Sequence, residues 1–497
     1  MKSNVIKFGG TSVGSGERIR HVAHIIARKV NDPGEDFPVV VVSAMAGVTD
    51  QLLRIAHYAC TGQHEKCEHE LSALKQKHLE AAEEAVHSYE GRHTLHDDLE
   101  AAFSALEQDV EVARSAAKHD VPLLTAAVAA WGERLSVLLV AAAARDVGVQ
   151  AAPVREEVII TNHPQNETTK PFGAAGTILV VARADPLPEE TRAKAQALIH
   201  PLMEDHIVPI MAGFIGRTIT GFVTTLGRNG SDYSASVIGA ALDCVEVAIY
   251  TDVDGVLSAD PRIVANARLL PRLSYAEAAR LSWFGAKVLH PRTLIPLAHR
   301  NIPVRVRNTF RPHARGTVVG PDGTQRSAAA AITVRRQLAL ITVESTDMFG
   351  APENAGQVFA LAAGAGAAPV AICSSSGHHL SFMVEEQAAD SVVALLQHDM
   401  GTWRVLCRPG LAACACIGSG FTVDPKSPAR AITALARERI PVITQGASEL
   451  GIILIVEDQD SEAALRCLHR DLIAPVIPLV RHPAQEKRHE VLRKEQH

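Results

Sequence analysis

The sequence predicts an α/β unit, in which helices sandwich a parallel-rich sheet, followed by two smaller α+β modules. Strand and helix patterns alternate over the first 310 residues, and one βαββα order occurs twice after residue 331. The length of 497 residues leaves room for about three domains at roughly 150 residues each. A composition of 47% hydrophobic and 21% charged residues is that of an ordinary globular chain.

The charge balance and the cysteine count narrow the class of protein. Lys and Arg number 49 against 55 Asp and Glu, a net charge of −6, which disfavours a dedicated nucleic-acid or membrane-surface binder. Eight cysteines without a CxxC pair indicate a reducing compartment. The apolar run 135–144 is about half of what a bilayer requires, and residues 5–8 have a strand pattern where a signal peptide would be apolar and longer. We therefore expect a cytoplasmic protein without membrane spans.

The first part of the chain begins with a strand, a helix and a strand. Residues 5–8 and 39–42 read as buried parallel strands around a helix at 17–30. Residues 63–118 have apolar positions three to five apart, which predicts a two-helix insertion broken near Gly91. Seven histidines between 57 and 96 are irregularly spaced, so we predict solvated helix faces and no metal site.

The rest of this part continues the alternation and ends in a loop. Helices are predicted at 188–206 and 231–242. Residues 311–331 are rich in Pro and Gly and are predicted to be the linker that follows a first domain of residues 1–310. Further strands are predicted at 158–161, 177–182, 208–214, 222–225 and 245–251.

Two ferredoxin-like βαββαβ modules are predicted beyond the linker, at 332–405 and 406–480, provided that a further strand supports each. The charged tail 481–497 is expected to be loose. The first module has strands at 338–344, 370–373 and 379–384 with helices at 356–364 and 388–396, and the second has strands at 411–417, 442–443 and 451–456 with helices at 429–439 and 461–471.

The Gly-rich turn after the first strand is the first segment able to carry chemistry. Lys7 precedes Gly9 and Gly10 at a strand-to-helix turn, where backbone amides, a helix N-terminus and an ammonium group favour an anion. The lysine comes before the glycines, so the turn is not a Walker A loop, and the GxGxxG dinucleotide pattern is absent. A glycine turn that only packs is the alternative.

Three further segments place polar residues at strand ends or helix starts. Residues 43–50 close the second strand with small and hydroxylated residues, where open parallel sheets bind ligands. Residues 226–233 contain Ser231 and Asp232 at a helix start, where they could simply cap the helix. The acidic turn 251–262 has too few regularly spaced oxygens for a calcium loop, and 285–291 supplies another lysine.

Six ordered motifs together resemble the aspartate kinases of the amino-acid kinase fold. They are KFGGTSV, SAMAGVTD, WGERLS, GFIGR with TTLGRNGSDYSA, YTDVDGV with DPR, and FGAKVLHPRT, spread over residues 7–293. The duplicated module resembles the paired ACT domains of the same enzymes. The resemblance implies transfer of the γ-phosphoryl group of ATP to the side-chain carboxylate of L-aspartate, the first step towards lysine, threonine and methionine.

The resemblance also implies a role for each matching residue. Lys7 would hold the transferring phosphoryl group, with Arg228 and Asp232 as further catalytic positions. Glu133 suits an ammonium group and Arg228 a carboxylate, and Mg²⁺ is expected because it bridges the β- and γ-phosphates. The implied aspartate-binding residues are Thr49, Glu133, Arg228, Ser231 and Asp232, and the implied nucleotide-binding residues are Lys7, Gly9, Gly10, Thr251, Asp252, Arg262 and Lys287.

Regulation and assembly follow from the same resemblance. Gln445 and Ser448 lie in a predicted turn that resembles an effector-contacting segment of threonine-sensitive relatives, so threonine is favoured over lysine as feedback effector. Exposed sheet edges of such modules need a partner, which predicts a homodimer or homotetramer. Two alternatives remain: another kinase of the same fold, acting on glutamate, acetylglutamate, carbamate or UMP, and a non-catalytic amino-acid sensor built from ACT modules.

Overall fold

The computed structural model describes most of the chain as two compact units, Met1–Gln325 and Arg326–His497. The residues that it describes are 2–115, 121–163, 166–172, 177–227, 229–286, 289–323, 329–344, 352–376, 378–400, 403–421 and 424–473.

The first unit alternates strands and helices. Its strands are β1 (Ser3–Phe8), β2 (Phe37–Val42), β3 (Ala151–Val154), β4 (Ile160–Thr161), β5 (Asn166–Phe172), β6 (Thr177–Arg183), β7 (Val208–Ala212), β8 (Ile215–Thr218), β9 (Val223–Thr225), β10 (Glu246–Thr251), β11 (Arg272–Ser274), β12 (Val304–Asn308) and β13 (Thr317–Gly320). Its helices are α1 (Gly16–Asn31), α2 (Val48–Cys60), α3 (His64–Ala85), α4 (Tyr89–Arg114), α5 (Val121–Ala129), α6 (Trp131–Asp146), α7 (Pro188–Leu198), α8 (His200–Glu204), α9 (Gly230–Ala241), α10 (Tyr275–Trp283) and α11 (Pro291–Ala298).

The main sheet has eight strands in the order β11-β13-β12-β10-β1-β2-β7-β3. All neighbouring pairs are parallel except β12 with β13. The run Val39–Val42 in β2 is fully buried, because helices cover both faces of a parallel sheet. The carboxyl ends of β1, β2 and β10 lie side by side, since Phe8 is in register with both Val42 and Tyr250.

The same unit contains a second sheet of five strands, in the order β4-β8-β9-β6-β5. Its hairpin of β8 and β9 is antiparallel, and Leu226, directly after β9, donates its amide proton to the carbonyl oxygen of Phe214 at 2.8 Å. This short connection carries the chain directly into α9. The sheet therefore fixes where α9 begins.

The region predicted as a helical insertion contains α3 and α4, joined at residues 86–88. Gly91, the predicted break, lies instead in the first turn of α4. A Cβ atom on Gly16, at the start of α1, would lie 2.3 Å from the carbonyl oxygen of Ala81 in α3. Only glycine permits this approach, so the insertion packs directly on the helix that follows the Gly-rich turn.

One helical stretch, Val121–Asp146, is long and apolar enough to cross a membrane by length and composition alone. It comprises α5 and α6, and 72% of its apolar window is buried inside the fold. Most of α6 belongs to the hydrophobic core, including Leu135, Leu139 and Val140, all fully buried. This burial is that of a core helix.

The second unit contains one six-stranded sheet in the order β15-β16-β14-β17-β19-β18. Its elements are β14 (Ala331–Glu344), α12 (Pro352–Gly364), β15 (Ala371–Ser376), β16 (His379–Glu385), α13 (Glu386–Met400), β17 (Arg404–Ile417), α14 (Lys426–Arg437), β18 (Thr444–Ser448), β19 (Gly451–Glu457), a 3₁₀ helix (Asp458–Asp460) and α15 (Ser461–Leu472).

Two fourteen-residue strands, β14 and β17, run through both modules. Residues 338–344 of β14 pair with β16 and with 404–411 of β17, whereas residues 331–335 pair with 413–417. The register shifts between the two halves, at Gln337 (φ +57°) and near Gly410 (φ +73°). Each module thus receives its fourth strand from the first half of a long strand whose second half belongs to the other module.

The sequence-based module boundaries need two corrections. Residues 317–320, inside the predicted linker 311–331, form β13 of the main sheet, and the first unit extends to Gln325. Pro and Gly around this short strand gave it the composition of a loop. The predicted boundary at 405/406 falls inside β17, because a strand shared by two modules has no composition change within it. Residues 474–497, including the predicted tail, lie outside the described residues.

The fold class predicted from the sequence is confirmed. A mixed α/β unit with a parallel-rich sheet precedes an α+β unit with two copies of the βαββα order. Several elements were not predicted from the sequence, and most of them are short or lack a clear hydrophobic period. They are β3, β5, β8, β11, β12, β13, α2, α5, α6, α10 and α11.

Candidate active site

A cleft of about 390 Å³ opens at the carboxyl ends of β1 and β2. It brings together six residues that the sequence predicted, which come from four separate segments of the chain. These residues are Lys7, Gly10, Thr49, Glu133, Ser231 and Asp232. The cleft therefore lies where open parallel sheets bind their ligands.

Lys7 is buried near the end of β1, with 8% of its surface exposed. Its ammonium group forms an ion pair with Oδ1 of Asp232, in the first turn of α9. A buried ammonium group requires a compensating charge, and a bound phosphate would supply a second one. The pair therefore holds a positive charge at a fixed point in the cleft.

The two glycines of the Gly-rich turn have different roles. The amide of Gly9 donates to the carbonyl oxygen of Tyr250 at 3.2 Å, so it is engaged in the sheet and is not free for a phosphate. A Cβ atom at Gly9 would lie 3.5 Å from Nζ of Lys7, and one at Gly10 would lie 3.0 Å from the carbonyl oxygen of Ala44. The missing side chain of Gly10 thus leaves room for the loop after β2, whereas the distance at Gly9 is that of an ordinary contact.

The loop after β2 brings Thr49 into the cleft at the start of α2. Gly47 adopts φ +80° and is the N-cap of α2, a conformation that favours glycine. Lys77 of α3 donates from Nζ to the carbonyl oxygen of Ala46 at 2.7 Å. This bond ties the loop to the helical insertion. No sequence pattern indicates it, because Lys77 is one of many charged positions on an amphipathic helix.

Glu133 is the most unusual carboxylate of the cleft. It lies in the first turn of α6 with 3% of its surface exposed, and no described donor reaches its Oε2. Burial raises the pKa of Glu133 to about 8, against smaller opposing effects of the Ala44 backbone and of Lys7. A buried, unpartnered carboxylate oxygen is costly unless a ligand pairs with it. The group suits a cationic ligand such as an ammonium.

A second carboxylate fixes the helix that carries Glu133. Glu157, 6% exposed, accepts from Nη2 of Arg134 at 2.5 Å and from Nε of Arg217 in β8 at 2.7 Å. Burial raises its pKa, but the two guanidinium groups outweigh burial, so the pKa of Glu157 is lower than its ordinary value. Glu157 thus links α6 to the second sheet, a role that the sequence did not indicate.

The N-terminus of α9 forms the opposite wall. Its N-cap is Asn229 in the left-handed region (φ +54°), so Ser231 and Asp232 lie in the first helical turn and are not caps. A Cβ atom on Gly213 would lie 2.7 Å from Cβ of Ser231, which shows how closely the end of β7 approaches this turn. The amide end of α9 therefore faces the cleft together with Lys7.

Of the predicted nucleotide residues, Lys7 and Gly10 line this cleft. Gly9, Thr251, Asp252 and Arg262 do not line it. Thr251 ends β10 and donates to Oδ1 of Asp252 at 3.2 Å, next to the Gly-rich turn along the same sheet edge. Arg262 is 85% exposed and pairs with Asp260 at 2.6 Å. Arg228 and Lys287 lie outside the described residues. Among the residues that the structure describes, no group of three His, Cys, Asp or Glu side chains is arranged to hold a metal ion.

Comparisons with known proteins agree with this geometry. The amino acid kinase family matches residues 2–308 and an ACT domain matches residues 415–472. Aspartokinase 1, chloroplastic, from Arabidopsis thaliana is 32% identical over 94% of this chain and 79% of its own length. Bifunctional aspartokinase/homoserine dehydrogenase 2, chloroplastic, from the same plant is also 32% identical, but the chain spans about half (50%) of its length.

Solved structures extend the likeness to the whole fold. Escherichia coli aspartokinase III in complex with aspartate and ADP, in the R-state, is 29% identical, with a TM-score of 0.75 over 95% of this chain and 100% of that one. The same enzyme in complex with lysine and aspartate, in the T-state, has a TM-score of 0.73 with the same coverage. With the matches in sequence and the cleft described above, these likenesses show that the chain belongs to the aspartokinases of the amino acid kinase family.

Proposed function

We propose that this protein transfers the γ-phosphoryl group of ATP to the side-chain carboxylate of L-aspartate, giving 4-phospho-L-aspartate. The observation that carries the proposal is the buried Glu133 carboxylate, which faces the same cleft as the ion pair of Lys7 and Asp232. The cleft thus offers a carboxylate that suits the ammonium group of an amino acid and an ammonium group that suits a phosphate. This reaction would be the first step of lysine, threonine and methionine biosynthesis.

Phosphoryl transfer between oxygens requires mainly positioning and the neutralisation of developing charge. In the proposed reaction Glu133 binds the ammonium group, while Thr49 and Ser231 offer hydroxyl groups to the carboxylates. Lys7 neutralises charge on the transferring group, and Asp232 keeps Lys7 in place. The side-chain carboxylate of aspartate attacks the γ-phosphorus, and the bond to ADP breaks.

We further propose that Mg²⁺ enters as part of the ATP complex. Mg²⁺ is commonly held by substrate phosphates plus one or two carboxylates. The carboxylates that line the cleft are Asp50, Glu133 and Asp232, of which Glu133 is buried and Asp232 is paired with Lys7. This set suits a metal that arrives with its phosphate ligands. The cytoplasmic location and the assembly as a homodimer or homotetramer remain predictions.

An assay of ATP consumption with aspartate, glutamate and acetylglutamate in parallel tests the activity. We expect turnover with aspartate. Acetylglutamate should not react, because Glu133 requires a free ammonium group that acetylglutamate lacks. Turnover with glutamate or acetylglutamate in preference to aspartate would support another kinase of the same fold. Absence of turnover with all three, in a folded protein that binds amino acids, would favour the alternative of a non-catalytic amino-acid sensor.

An amino-acid effector is proposed for the second unit, with threonine favoured over lysine. The prediction that Gln445 and Ser448 lie in a turn is wrong. Both residues lie in β18, an outer strand of the six-stranded sheet. A Cβ atom on Gly446 would lie 3.4 Å from the carbonyl oxygen of Ile372 in β15, so the outer strands of the two modules approach each other. An effector bound here would contact both modules.

A further inference from the structure

A second cleft of the first unit, of about 620 Å³, lies over the edge strands of the main sheet and shares no lining residue with the candidate active site. It is formed by β11, β12, β13 and the loop between β12 and β13. We name it the arginine cleft, after its basic lining residues, which are Arg272, Arg305, Arg307, His313 and Arg315.

The strand period explains why two of these arginines meet. Val304 and Val306 in β12 are fully buried, whereas Arg305 and Arg307 alternate with them and project from the opposite face. Gly316 adopts φ +68°, and a Cβ atom there would lie 2.1 Å from the carbonyl oxygen of Val306. This glycine therefore lets the loop that carries Arg315 close over the face of β12.

The charges in the arginine cleft do not balance. Arg305 is neutralised by Glu246, with Nε 2.8 Å from Oε2, and Asp322 is the only carboxylate among the lining residues. Among the described residues no carboxylate pairs with Arg272, Arg307 or Arg315. Neighbouring guanidinium groups without partners repel each other, so an anion in the cleft would stabilise them.

Arg307 gives the most specific indication. Its Nε is buried without a hydrogen-bond partner among the described residues, and its Nη1 makes only a long bond of 3.4 Å to the carbonyl oxygen of Pro312. Beside it, Nε2 of His313 lies 2.8 Å from Nη1 of Arg28 and accepts from that guanidinium group. This nitrogen is therefore not available as an acceptor for Arg307. Within the described part of the protein, Arg307 thus has one weak acceptor and no counter-charge, and an anion in the cleft would supply the charge.

We propose that the arginine cleft binds a compact polyanion, a small molecule that bears at least two phosphate or carboxylate groups. Planar guanidinium forks suit both groups, because each accepts two parallel hydrogen bonds. A cleft of this volume has the size of a small-molecule site. Its three uncompensated arginines come from β11, β12 and a loop, so one ligand would join three segments.

Calorimetric titration of the full chain with inorganic pyrophosphate and, separately, with citrate tests the site. We expect saturable binding of at least one probe, weakened by salt. The double variant Arg272→Gln/Arg307→Gln should bind roughly tenfold or more weakly, because two charge-assisted contacts are lost. Binding of pyrophosphate alone would identify a phosphorylated ligand, and binding of citrate alone a polycarboxylate.

Three further variants locate the binding. Arg155→Gln removes an exposed arginine that pairs with Asp98, outside the cleft, and should leave affinity unchanged. Lys7→Ala reports binding in the active cleft and should also leave it unchanged. Arg315→Gln, in an exposed loop position, should weaken binding even if the double variant does not fold. Absence of saturable binding of either probe at millimolar concentration, or unchanged affinity in the folded arginine variants, would overturn the proposal.

Discussion

The ammonium group of Lys7, near the end of β1, forms an ion pair with Asp232 in the first turn of α9. The two residues are 225 positions apart in the chain (232 − 7), and the pair joins the main sheet to the helix that forms the opposite wall. This relationship places one fixed positive charge where we propose that phosphoryl transfer occurs.

Replacing Lys7 by alanine should lower kcat by about 10²–10³, the usual cost of losing one preorganised charge at a transition state. KM for aspartate should change little. Steady-state kinetics check this, with Lys194→Ala, which breaks an exposed ion pair with Glu156, as control. A folded Lys7→Ala protein with near-normal kcat would remove Lys7 from the mechanism.

Replacing Glu133 by glutamine should raise KM for aspartate while ATP binding persists, because the ammonium group loses its charged partner. Calorimetry with a nucleotide, without aspartate, measures the second property. Glu83→Gln, at an exposed ion pair with Arg92, is the control. An equal loss of nucleotide affinity in Glu133→Gln would contradict the assignment.

The pKa of Glu133 predicts proton release on binding of aspartate. At pH 7 the free protein carries mostly protonated Glu133, since burial raises its pKa to about 8. An ammonium group stabilises the ionised form, so binding should release close to one proton per site. Calorimetry in buffers of different ionisation enthalpy measures this number, and Glu133→Gln should release none.

The same group makes stability depend on pH. Since the pKa of Glu133 in the fold lies above its ordinary value of 4.5, folding favours the protonated form. The free energy of unfolding should therefore fall as pH rises from 4.5 to about 8 through this group, and level off above that. Denaturant titrations of the wild type and of Glu133→Gln over this range would show the difference.

Glu157→Gln should destabilise the first unit by about 3 kcal/mol at neutral pH, because it leaves Arg134 and Arg217 without their buried counter-charge. The pKa of Glu157 lies below its ordinary value of 4.5, so this stabilisation is present above that pH and is lost as pH falls. The neighbouring Glu156→Gln, at an exposed pair with Lys194, should cost less than about 0.5 kcal/mol.

The sequence predicted the site residues that lie in motifs but not those that act through tertiary contacts. Lys7, Thr49, Glu133 and Asp232 lie in motifs, and the structure brings them to one cleft. Lys77 and Glu157 could not be predicted, because their partners, Ala46 and Arg217, are distant in the chain and only the tertiary fold joins them. Contacts between residues that are distant in the chain leave no local pattern in the amino-acid sequence.

The fold was predicted best where hydrophobic periods are long. The helices of the insertion and the buried strands β1, β2 and β10 had clear periods. The strand β13 has four residues between glycines and prolines, and its place in the main sheet comes from pairing with β12 and β11. Such short strands are stabilised by partners that sequence periodicity does not reveal.

A prediction for the second unit concerns feedback. Threonine, lysine and both together should be titrated against the initial rate of the full chain, with inhibition by threonine expected. An effector can inhibit only if it binds one of two arrangements more tightly. Gln445→Ala should weaken inhibition without changing the uninhibited rate. Absence of inhibition by any of them at millimolar concentration would remove the effector and leave the kinase proposal untouched.

The strands β14 and β17 have a consequence for how the second unit can be divided. A polypeptide that stops at residue 405 would contain residues 331–335 but not the 413–417 segment that pairs with them. Its sheet would end in an unsatisfied edge, a template for aggregation. A fragment that starts at 406 would contain residues 413–417 but not the 331–335 segment that pairs with them. Gene fusions and truncations that separate the two modules should therefore yield insoluble products. Recombination between genes can exchange the second unit only as a whole.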